Sequence, residues 1–318
     1  MGAMERLSIV IPVFNEEGNI EALYQALLNT LDPLGMPFEI IFADDGSQDQ
    51  SFQHIEQLSS KDKRVKGLSF SRNFGHQIAL FAGLNHASGD LIISMDGDLQ
   101  HPPALIPALI ETYRKGYDIV NTKRIDTKET GWFKRKTSSL FYRIINRLSD
   151  IEIEPGAADF RLMSRQTVQA YLSIPEKDRF TRGLVSWMGY RQAVVPYQVQ
   201  PRLHGQSKYT LKKMIRFALN GITSFSSKPL RLSFYLGLYI AMGAILYGIY
   251  ATFQFVRGEV VPGWTSILLS VLFIGGVILI NLGILGEYLA RVFNETKNRP
   301  LYFIRSTTGF DNDPENEV

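Results

Sequence analysis

Two long apolar stretches near the C-terminus constrain this chain more than any other feature of its sequence. Residues 232–256 and residues 260–286 carry no charged side chain, and the short turn between them holds Arg257 and Glu259. A helix needs about 20 apolar residues to cross the hydrocarbon core of a bilayer, and each stretch is long enough. A helical hairpin buried in a soluble core is the alternative, but soluble cores rarely use two such spans in series. The stretches therefore predict two membrane helices that anchor the chain.

Positive charge is concentrated on the outer sides of these two stretches. It is found at Lys212, Lys213, Arg216, Lys228, Arg231, Arg291, Lys297, Arg299 and Arg305. The positive-inside rule then places both ends of the chain in the cytoplasm and the turn outside. The first apolar run, residues 7–14, is short and contains Pro12, so no secretory signal is expected there. We therefore expect a cytoplasmic domain over residues 1–228, a transmembrane hairpin over 229–290 and a cytoplasmic C-terminal tail over 291–318.

Two basic segments are predicted to lie at the membrane surface. Residues 132–148 combine cationic side chains with apolar residues at helical spacing, and residues 211–228 are similar and lead into the first apolar stretch. A basic amphipathic helix can lie in the headgroup layer of a bilayer. Ordinary surface helices that pack on their own domain are the alternative.

Charge and cysteine content exclude several classes of protein. The formal net charge of +3 is too small to imply a large basic face, so we expect no nucleic-acid partner. The chain has no cysteine, which excludes disulfides, thiolate chemistry and cysteine-ligated zinc.

The first two thirds of the chain predict a nucleotide-binding α/β domain. Predicted strands over residues 8–14, 39–43, 65–69, 91–95 and 118–122 alternate with predicted helices over 15–31, 51–60, 78–87 and 105–115. This alternation is typical of a mostly parallel, Rossmann-like sheet, which binds ligands beyond the carboxyl ends of its strands. Polar clusters fall at those ends, namely Asn15-Glu16, Asp44-Asp45, Arg72-Asn73 and Asp96-Gly97-Asp98. No Gly-x-Gly-x-x-Gly or P-loop motif occurs, which argues against dinucleotide and P-loop enzymes.

Asp96 and Asp98 form a candidate metal site. A turn directly after an apolar strand can direct both carboxylates into one cleft. Hard cations such as Mg²⁺ use few protein carboxylates and complete their shell with substrate phosphates and water. Asp-x-Asp alone is a weak signal, but the preceding strand and the second acidic pair, Asp44-Asp45, strengthen it.

Four motifs together resemble the GT-A glycosyltransferases of family 2. They are Pro-Val-Phe-Asn-Glu-Glu at residues 12–17, Asp-Asp-Gly-Ser at 44–47, Ser-Arg-Asn-Phe-Gly at 71–75 and Met-Asp-Gly-Asp-Leu-Gln-His-Pro-Pro at 95–103. The resemblance covers nearly the whole chain and is closest to the polyprenyl-phosphate sugar synthases with two C-terminal membrane helices, in particular the GtrB-type bactoprenol glucosyltransferases. Gly97 stands where that family commonly has alanine.

The resemblance implies a role for each of several residues. A nucleotide-sugar would be bound by Pro12, Val13, Asn15, Glu16, Asp44, Asp45, Arg72, Gly75, Asp96 and Gly97. Mg²⁺ or Mn²⁺ would be held by Asp96, Asp98 and Gln100. Asp159 would be the catalytic base, and Asp96 and Asp98 would also be catalytic residues. The acceptor phosphate would be bound by Arg202, Ser207, Lys208 and Tyr209.

Elementary chemistry limits what Asp159 must do. A phosphate monoester has a second pKa near 6 and is already largely dianionic at neutral pH. We therefore expect Asp159 to orient or screen as much as to abstract a proton. Two alternatives remain open: Asp159 as a helix cap, and Arg202 and Lys208 as solvated charges. For His76 and His101 we expect a structural role, because neither has a partner at metal-ligand spacing. Arg179, Arg182 and Arg191 could each bind phosphate or simply pack.

By resemblance, the expected reaction is inverting transfer of a hexose to polyprenyl (undecaprenyl) phosphate at the inner (plasma) membrane. Glucose from UDP-glucose is preferred, while mannose from GDP-mannose and an amino-arabinose donor stay open. A processive polysaccharide synthase is disfavoured because the chain lacks the extra membrane helices and the Gln-x-x-Arg-Trp motif. A nucleotide-sugar-binding scaffold without catalysis is the non-enzymatic alternative. Small residues in the second apolar stretch, Gly275, Gly276, Gly283 and Gly286, suggest a homo-oligomer.

Overall fold

A computed structural model describes residues 5–125, 157–198, 226–258 and 263–310 of the chain. These residues divide into two compact units. One contains residues 5–125, 157–198 and 299–310, and the other contains residues 226–258 and 263–298. The predicted surface helices at 132–148 and 211–225 lie outside the described residues, as do the predicted acceptor-phosphate residues Arg202, Ser207, Lys208 and Tyr209.

The first unit is built on one eight-stranded sheet. Its strands are β1 (Leu7–Val13), β2 (Phe38–Asp44), β3 (Val65–Phe70), β4 (Leu91–Ser94), β5 (Ile119–Ile125), β6 (Ala157–Ser164), β7 (Gln192–Gln198) and β8 (Ile304–Thr308). Their order across the sheet is β7-β5-β6-β4-β1-β2-β3-β8. The β1–β2, β1–β4, β2–β3 and β5–β7 pairs are parallel, whereas β6 and β8 run antiparallel to their neighbours. The mostly parallel α/β sheet that the sequence predicts is confirmed.

Helices cover the sheet and build its core. They are α1 (Ile20–Leu31), α2 (Ser51–Lys61), α3 (His76–His86), α4 (Ile106–Arg114), α5 (Arg165–Leu172) and α6 (Thr181–Trp187). Every residue of β1 and β2 is buried, as expected for central strands covered on both faces. On α1 the buried residues Ile20, Leu23, Tyr24, Leu27 and Leu31 recur at helical spacing and pack into this core.

The segment after β1 differs from its prediction. The sequence predicts a helix from residue 15, but α1 begins at Ile20. Asn15 adopts a left-handed backbone conformation with φ of 55°, which asparagine tolerates better than most residues. Its backbone N–H donates to Ser47 Oγ at 2.9 Å, and its side-chain oxygen accepts from the Gln48 N–H at 2.8 Å. These bonds to the loop after β2 compete with helix formation and turn the chain at the end of the sheet.

Part of the predicted C-terminal tail forms a strand of the sheet. β8 pairs antiparallel with β3, with Gly67 opposite Thr308. Its five residues alternate between half-buried and exposed positions, as an edge strand does. So short a strand, Ile-Arg-Ser-Thr-Thr, carries too few apolar residues to be recognised from its sequence.

The second unit contains two long apolar helices, α7 (Lys228–Val256) and α8 (Trp264–Thr296). Both are long and apolar enough to cross a membrane, over Lys228–Gln254 and Ile267–Thr296, with mean hydropathies of 1.7 and 2.6. None of either span is buried inside the structure, unlike the core helix of a soluble protein. The Tyr288 hydroxyl donates to the Ser226 carbonyl at 2.7 Å and ties the end of α8 to the start of α7.

Candidate functional site

A cavity of about 410 Å³ lies at the carboxyl ends of β1, β2 and β4. Its lining consists of Pro12, Val13, Phe14, Glu16, Asp45, Asn73, Gly75, His76, Asp96, Gly97 and Asp98. These residues follow directly on buried parallel strands, and this edge of such a sheet is where ligands bind.

The structure brings most, but not all, of the predicted nucleotide-sugar residues to this cavity. Those that line it are Pro12, Val13, Glu16, Asp45, Gly75, Asp96 and Gly97. Asn15, Asp44 and Arg72 do not line it. Arg72 is exposed and lies over the Phe74 ring, with its guanidinium carbon 4.0 Å from the ring centroid.

The adjacent residues Asp44 and Asp45 have different surroundings. Asp44 is buried, and its carboxylate accepts from the Ser47 N–H at 3.1 Å and the Ser69 hydroxyl at 2.9 Å. Asp45 accepts from the N–H groups of Phe74 at 2.6 Å and Gly75 at 2.9 Å. Burial raises the pKa of Asp45 above its ordinary value, although the two N–H bonds act against this rise. Asp44 therefore links β2 to β3 and to the turn that follows β2, whereas Asp45 holds the loop of residues 71–75 beside the cavity.

His101 and a tight turn fix the Asp96–Asp98 segment. The Asp96 N–H donates to His101 Nδ1 at 3.0 Å, so Nε2 of the neutral ring carries the proton. The His101 ring is buried and stacks on Phe160, with their centroids 5.2 Å apart. Asp98 accepts from the Gln100 N–H at 3.1 Å, across a turn in which Leu99 has a φ of 62°. His101 thus has the structural role expected for it.

The carboxylates fit a divalent cation that is shared with a substrate. Among the described residues, no group of three or more His, Asp or Glu side chains could hold a metal ion. Mg²⁺ needs no such cage, since one or two carboxylates and substrate phosphates suffice. Asp96 Oδ1 is buried without a hydrogen-bond partner, and His76 Nε2 is 3.5 Å away. An unpartnered buried carboxylate oxygen beside a cavity is well suited to a cation.

Asp159 lies inside β6, next to His76 of the cavity lining, within a network of cations. Its side chain accepts from Arg161 Nη2 at 2.9 Å and from Arg182 through Nε at 3.1 Å and Nη2 at 3.2 Å. Gln77 Nε2 lies 3.4 Å from Oδ2, and His76 Nε2 lies 3.9 Å from the same oxygen. Burial acts to raise the pKa of Asp159, but Arg182 and Arg161 outweigh it and hold the pKa well below its usual range. The helix-cap alternative is wrong, because Ser164 caps α5 by accepting from the Thr167 N–H.

The three arginines left open by the sequence have different environments. Arg179 is buried, lies 3.8 Å from the Phe81 ring centroid and donates to the Ile174 carbonyl at 2.7 Å, so it packs. Arg191 lies on the surface over Tyr117. Of the three, Arg182 is the one that reaches the site. The sequence offered no basis for this choice, because all three stand outside the recognised motifs.

Comparison with known protein families gives separate matches for the sheet-containing part of the chain and for the two apolar helices. Residues 8–172 match the family described as Glycosyl transferase family 2, and residues 228–292 match the GtrB C-terminal hairpin. The chain is 43% identical over 306 residues to an uncharacterized glycosyltransferase of Synechocystis sp., covering 96% of each chain. It is 45% identical over 303 residues to a prophage-derived bactoprenol glucosyl transferase of Shigella flexneri, covering 95% of this chain and 98% of the relative. A mannosyltransferase from Pyrobaculum calidifontis, solved in complex with GDP-Man and Mn²⁺, is 14% identical, with a TM-score of 0.49 over 70% of this chain and 64% of that one.

Proposed function

Because the chain belongs to glycosyl transferase family 2, and is therefore a glycosyltransferase, we propose that it transfers a hexose from a nucleotide-sugar to a polyprenyl phosphate. The preferred donor is UDP-glucose and the preferred acceptor is undecaprenyl phosphate. The observation that carries the proposal is the extent of the likeness to bactoprenol glucosyl transferases, which continues through the C-terminal hairpin. A hairpin of this kind keeps an enzyme at the bilayer that holds its lipid acceptor.

The proposed reaction replaces one phosphate bond at the anomeric carbon by another. An oxygen of the acceptor phosphate attacks that carbon from the face opposite the nucleotide, and the bond to the diphosphate breaks with its electron pair. The product is an inverted lipid-linked monosaccharide together with free nucleoside diphosphate. Pro12, Val13, Glu16, Asp45 and Gly75 line the cavity that would bind the donor.

Asp96 and Asp98, with Gln100, would hold the divalent cation, Mg²⁺ or Mn²⁺. Once bound, such an ion neutralises negative charge on the departing diphosphate. The unpartnered Asp96 Oδ1 supports this assignment. The protein itself supplies a rigid frame, because His101 fixes the Asp96 backbone and the turn through Leu99 fixes Asp98.

The acceptor phosphate would be bound by Arg202, Ser207, Lys208 and Tyr209. The two apolar helices would cross the plasma (inner) membrane, with the catalytic domain and both termini in the cytoplasm. The strand β8 supports this topology, since residues that precede α7 and residues that follow α8 share one sheet. Gly275, Gly276, Gly283 and Gly286 have open space around them, which supports close approach of a second copy's helix.

Transfer of radiolabelled sugar to undecaprenyl phosphate by the purified protein in detergent tests the proposal. We expect a lipid-linked product with UDP-glucose, and its loss with EDTA or with Asp98→Ala, by about 100-fold or more in kcat, because the charge on the diphosphate is no longer stabilised. Glu111→Ala, an exposed carboxylate on α4, is the matched control and should keep full activity.

Parallel reactions with GDP-mannose and an amino-arabinose donor identify the sugar. A product with one of these donors alone would correct the donor but keep the reaction. Nucleotide binding without transfer from any donor would overturn the enzymatic proposal and favour a binding scaffold.

A further inference from the structure

The lining of the cavity that the structure describes is acidic. Within the described part of the chain, its lining includes the carboxylates Glu16, Asp45, Asp96 and Asp98 but no lysine or arginine. The proposed reaction brings a phosphate dianion close to a nucleoside diphosphate, and preorganised cations are what such a site needs. A cation at the edge of this cavity therefore has a chemical purpose beyond packing.

Arg182 is linked through Asp159 to a residue that lines the cavity. His76, which lines the cavity, has its Nε2 3.5 Å from Asp96 Oδ1 and 3.9 Å from Asp159 Oδ2. Arg182 Nη2 is 3.2 Å from the same Asp159 oxygen. Its side chain is 31% exposed, whereas that of Arg161, the other cation on Asp159, is 2% exposed. Of the two guanidinium groups, Arg182 is thus the one that a ligand can reach.

We propose that Asp159 is a positioning residue that holds Arg182 to bind the acceptor phosphate. The inference rests on the proposed function and assigns one more residue to its acceptor site. The two contacts through Nε and Nη2 fix the plane of the guanidinium, and such bidentate pairing gives strong orientation. A guanidinium has five N–H donors, so pairing with a carboxylate is compatible with a simultaneous contact to phosphate.

The charge balance of the network supports a binding role. Two guanidinium groups share the single carboxylate of Asp159, so the three side chains together carry a charge of +1. Arg161 is buried and offsets the cost of burying Asp159, so Asp159 does not have to be compensated by Arg182 alone. If Arg161 were absent, the Asp159–Arg182 pair would be neutral and would attract a phosphate less strongly.

The same geometry makes Asp159 a poor base. Both of its oxygens accept hydrogen bonds from cations, its residue is 8% exposed, and Arg182 and Arg161 keep its pKa low. The acceptor phosphate is largely dianionic at neutral pH, so its oxygen can attack without giving up a proton. No proton transfer to Asp159 is needed to balance the reaction.

Steady-state kinetics with separate acceptor and donor titrations test the proposal. For Arg182→Ala we expect the KM for undecaprenyl phosphate to rise about 10- to 100-fold while the KM for the nucleotide-sugar changes less than about 2-fold, as loss of a phosphate contact predicts. Arg182→Lys keeps the positive charge but lacks the planar guanidinium with its paired donors, so the KM for undecaprenyl phosphate should rise less than in Arg182→Ala. Arg191→Ala, a surface arginine over Tyr117, is the matched control and should change neither constant.

The double variant separates positioning from base catalysis. If Asp159 acts through Arg182, Asp159→Asn raises the acceptor KM, and Asp159→Asn combined with Arg182→Ala is no worse than Arg182→Ala alone. A loss confined to kcat in Asp159→Asn, with multiplicative effects in the double variant, would overturn the proposal. So would a rise in donor KM alone for Arg182→Ala, which would assign Arg182 to the diphosphate.

The test also gives an answer in two less favourable cases. Should Asp159→Asn fail to fold, the Arg182→Ala and Arg182→Lys pair still decides whether Arg182 binds the acceptor phosphate, because both leave the Asp159–Arg161 contact in place. Absence of transfer by the wild-type protein would overturn the proposed function itself, whereas a wrong pattern among active variants would overturn only the assignment of Arg182.

Discussion

Glu39 shows how a carboxylate can be fully buried in the sheet without a catalytic role. It lies in β2, away from the cavity, and its Oε1 accepts from the Ser8 hydroxyl at 2.6 Å and the Ser88 N–H at 2.7 Å. Its Oε2 is 2.9 Å from Lys66 Nζ and 3.3 Å from Arg6 Nη2. Burial acts to raise the pKa of Glu39, but the bonds from Ser8, Lys66 and Ser88 lower it from 4.5 to about 2.

We predict that Glu39→Gln destabilises the protein in a pH-dependent way. The folded-state pKa lies below the unfolded one, so the stabilisation is complete above pH 4.5 and is lost as the pH falls toward 2. At neutral pH the variant should lose about 3 kcal/mol, because each pKa unit corresponds to about 1.4 kcal/mol. Thermal unfolding of both proteins in detergent should show a large gap in melting temperature at pH 7 that narrows at pH 3.

Glu111→Gln is the control for this measurement, because Glu111 pairs with Lys115 on the exposed face of α4 at 3.0 Å. An exposed pair of this kind contributes about 0–1 kcal/mol, so its removal should shift the melting temperature little at either pH. A gap for Glu39→Gln that stayed constant between pH 7 and pH 3 would contradict the assigned pKa.

Individual site residues could be predicted from the sequence where a motif follows a strand. Asp96, Asp98 and Glu16 reach the cavity because the strand before each of them is an unambiguous apolar run. The more exposed of the two cations that pair with Asp159 could not be predicted. Arg182 is 23 residues from Asp159 in sequence, and the whole of α5 lies between β6 and the helix α6 that carries it. Nothing in the local pattern distinguishes it from Arg179, which packs on Phe81.

Among the elements, β8 is linked to the candidate site through contacts at its start. It begins where Tyr302 stacks on Phe70 with their ring centroids 5.0 Å apart, and the Ser71 N–H donates to the Phe303 carbonyl at 3.0 Å. Phe70 ends β3, and the loop of residues 71–75 that follows it carries Asn73 and Gly75 of the cavity. Contacts at the start of β8 therefore support the loop of residues 71–75, which forms one wall of the cavity.

We predict that Tyr302→Ala weakens donor binding. Loss of the stacked ring lets the 71–75 loop move, and a small displacement of a positioning loop is costly for binding and rate. The KM for the nucleotide-sugar should rise about 3- to 10-fold, while the KM for the acceptor stays unchanged. Separate titrations of donor and acceptor with the purified variant measure both constants.

Phe310→Ala provides a matched aromatic deletion at the other end of the same strand, where Phe310 lies against His86 with their centroids 5.6 Å apart. It should lower the melting temperature about as much as Tyr302→Ala but leave the donor KM unchanged. Equal donor effects in the two variants would mean that β8 stabilises the sheet as a whole and has no particular influence on the loop.

The elements differ in how well the sequence predicts them, and the reason is physical. Buried parallel strands such as β1 and β2 are continuous apolar runs, so both were predicted to within a few residues. The predicted start of α1 is wrong because hydrogen bonds between Asn15 and residues 47 and 48 override the local helical preference. β8 is not predicted from the sequence, because an edge strand forms by pairing with its neighbour and its five residues contain no apolar run that would indicate a strand.

At the scale of the whole molecule, charge and strand pairing give independent arguments for one topology. The flanking cations predict that both ends of the hairpin face the cytoplasm. The pairing of β8 with β3 uses no charge at all, yet it requires the chain on either side of the hairpin to lie in one compartment. If the two apolar helices that the structure describes both span the membrane, this pairing places their outer ends on the same side.

We predict that the turn after α7 is exposed on the side of the membrane opposite the sheet. The chain contains no cysteine, so single cysteines can be introduced without removing native ones. Arg257→Cys lies in the turn, and Ser60→Cys lies on the exposed surface of α2; both positions are exposed in the structure. A membrane-impermeant maleimide added to intact cells should label Arg257→Cys and not Ser60→Cys. After the membrane is permeabilised it should label both.

Two other labelling patterns each have a definite meaning for the molecule. Labelling of Ser60→Cys alone in intact cells would mean that the whole protein is inverted, which would separate the sheet from a cytoplasmic nucleotide-sugar. Protection of both positions until permeabilisation would mean that the helices lie along one face of the bilayer without crossing it. In that case both ends would still share a side, as the β8–β3 pairing requires, and the prediction that the two apolar stretches cross the membrane would be wrong.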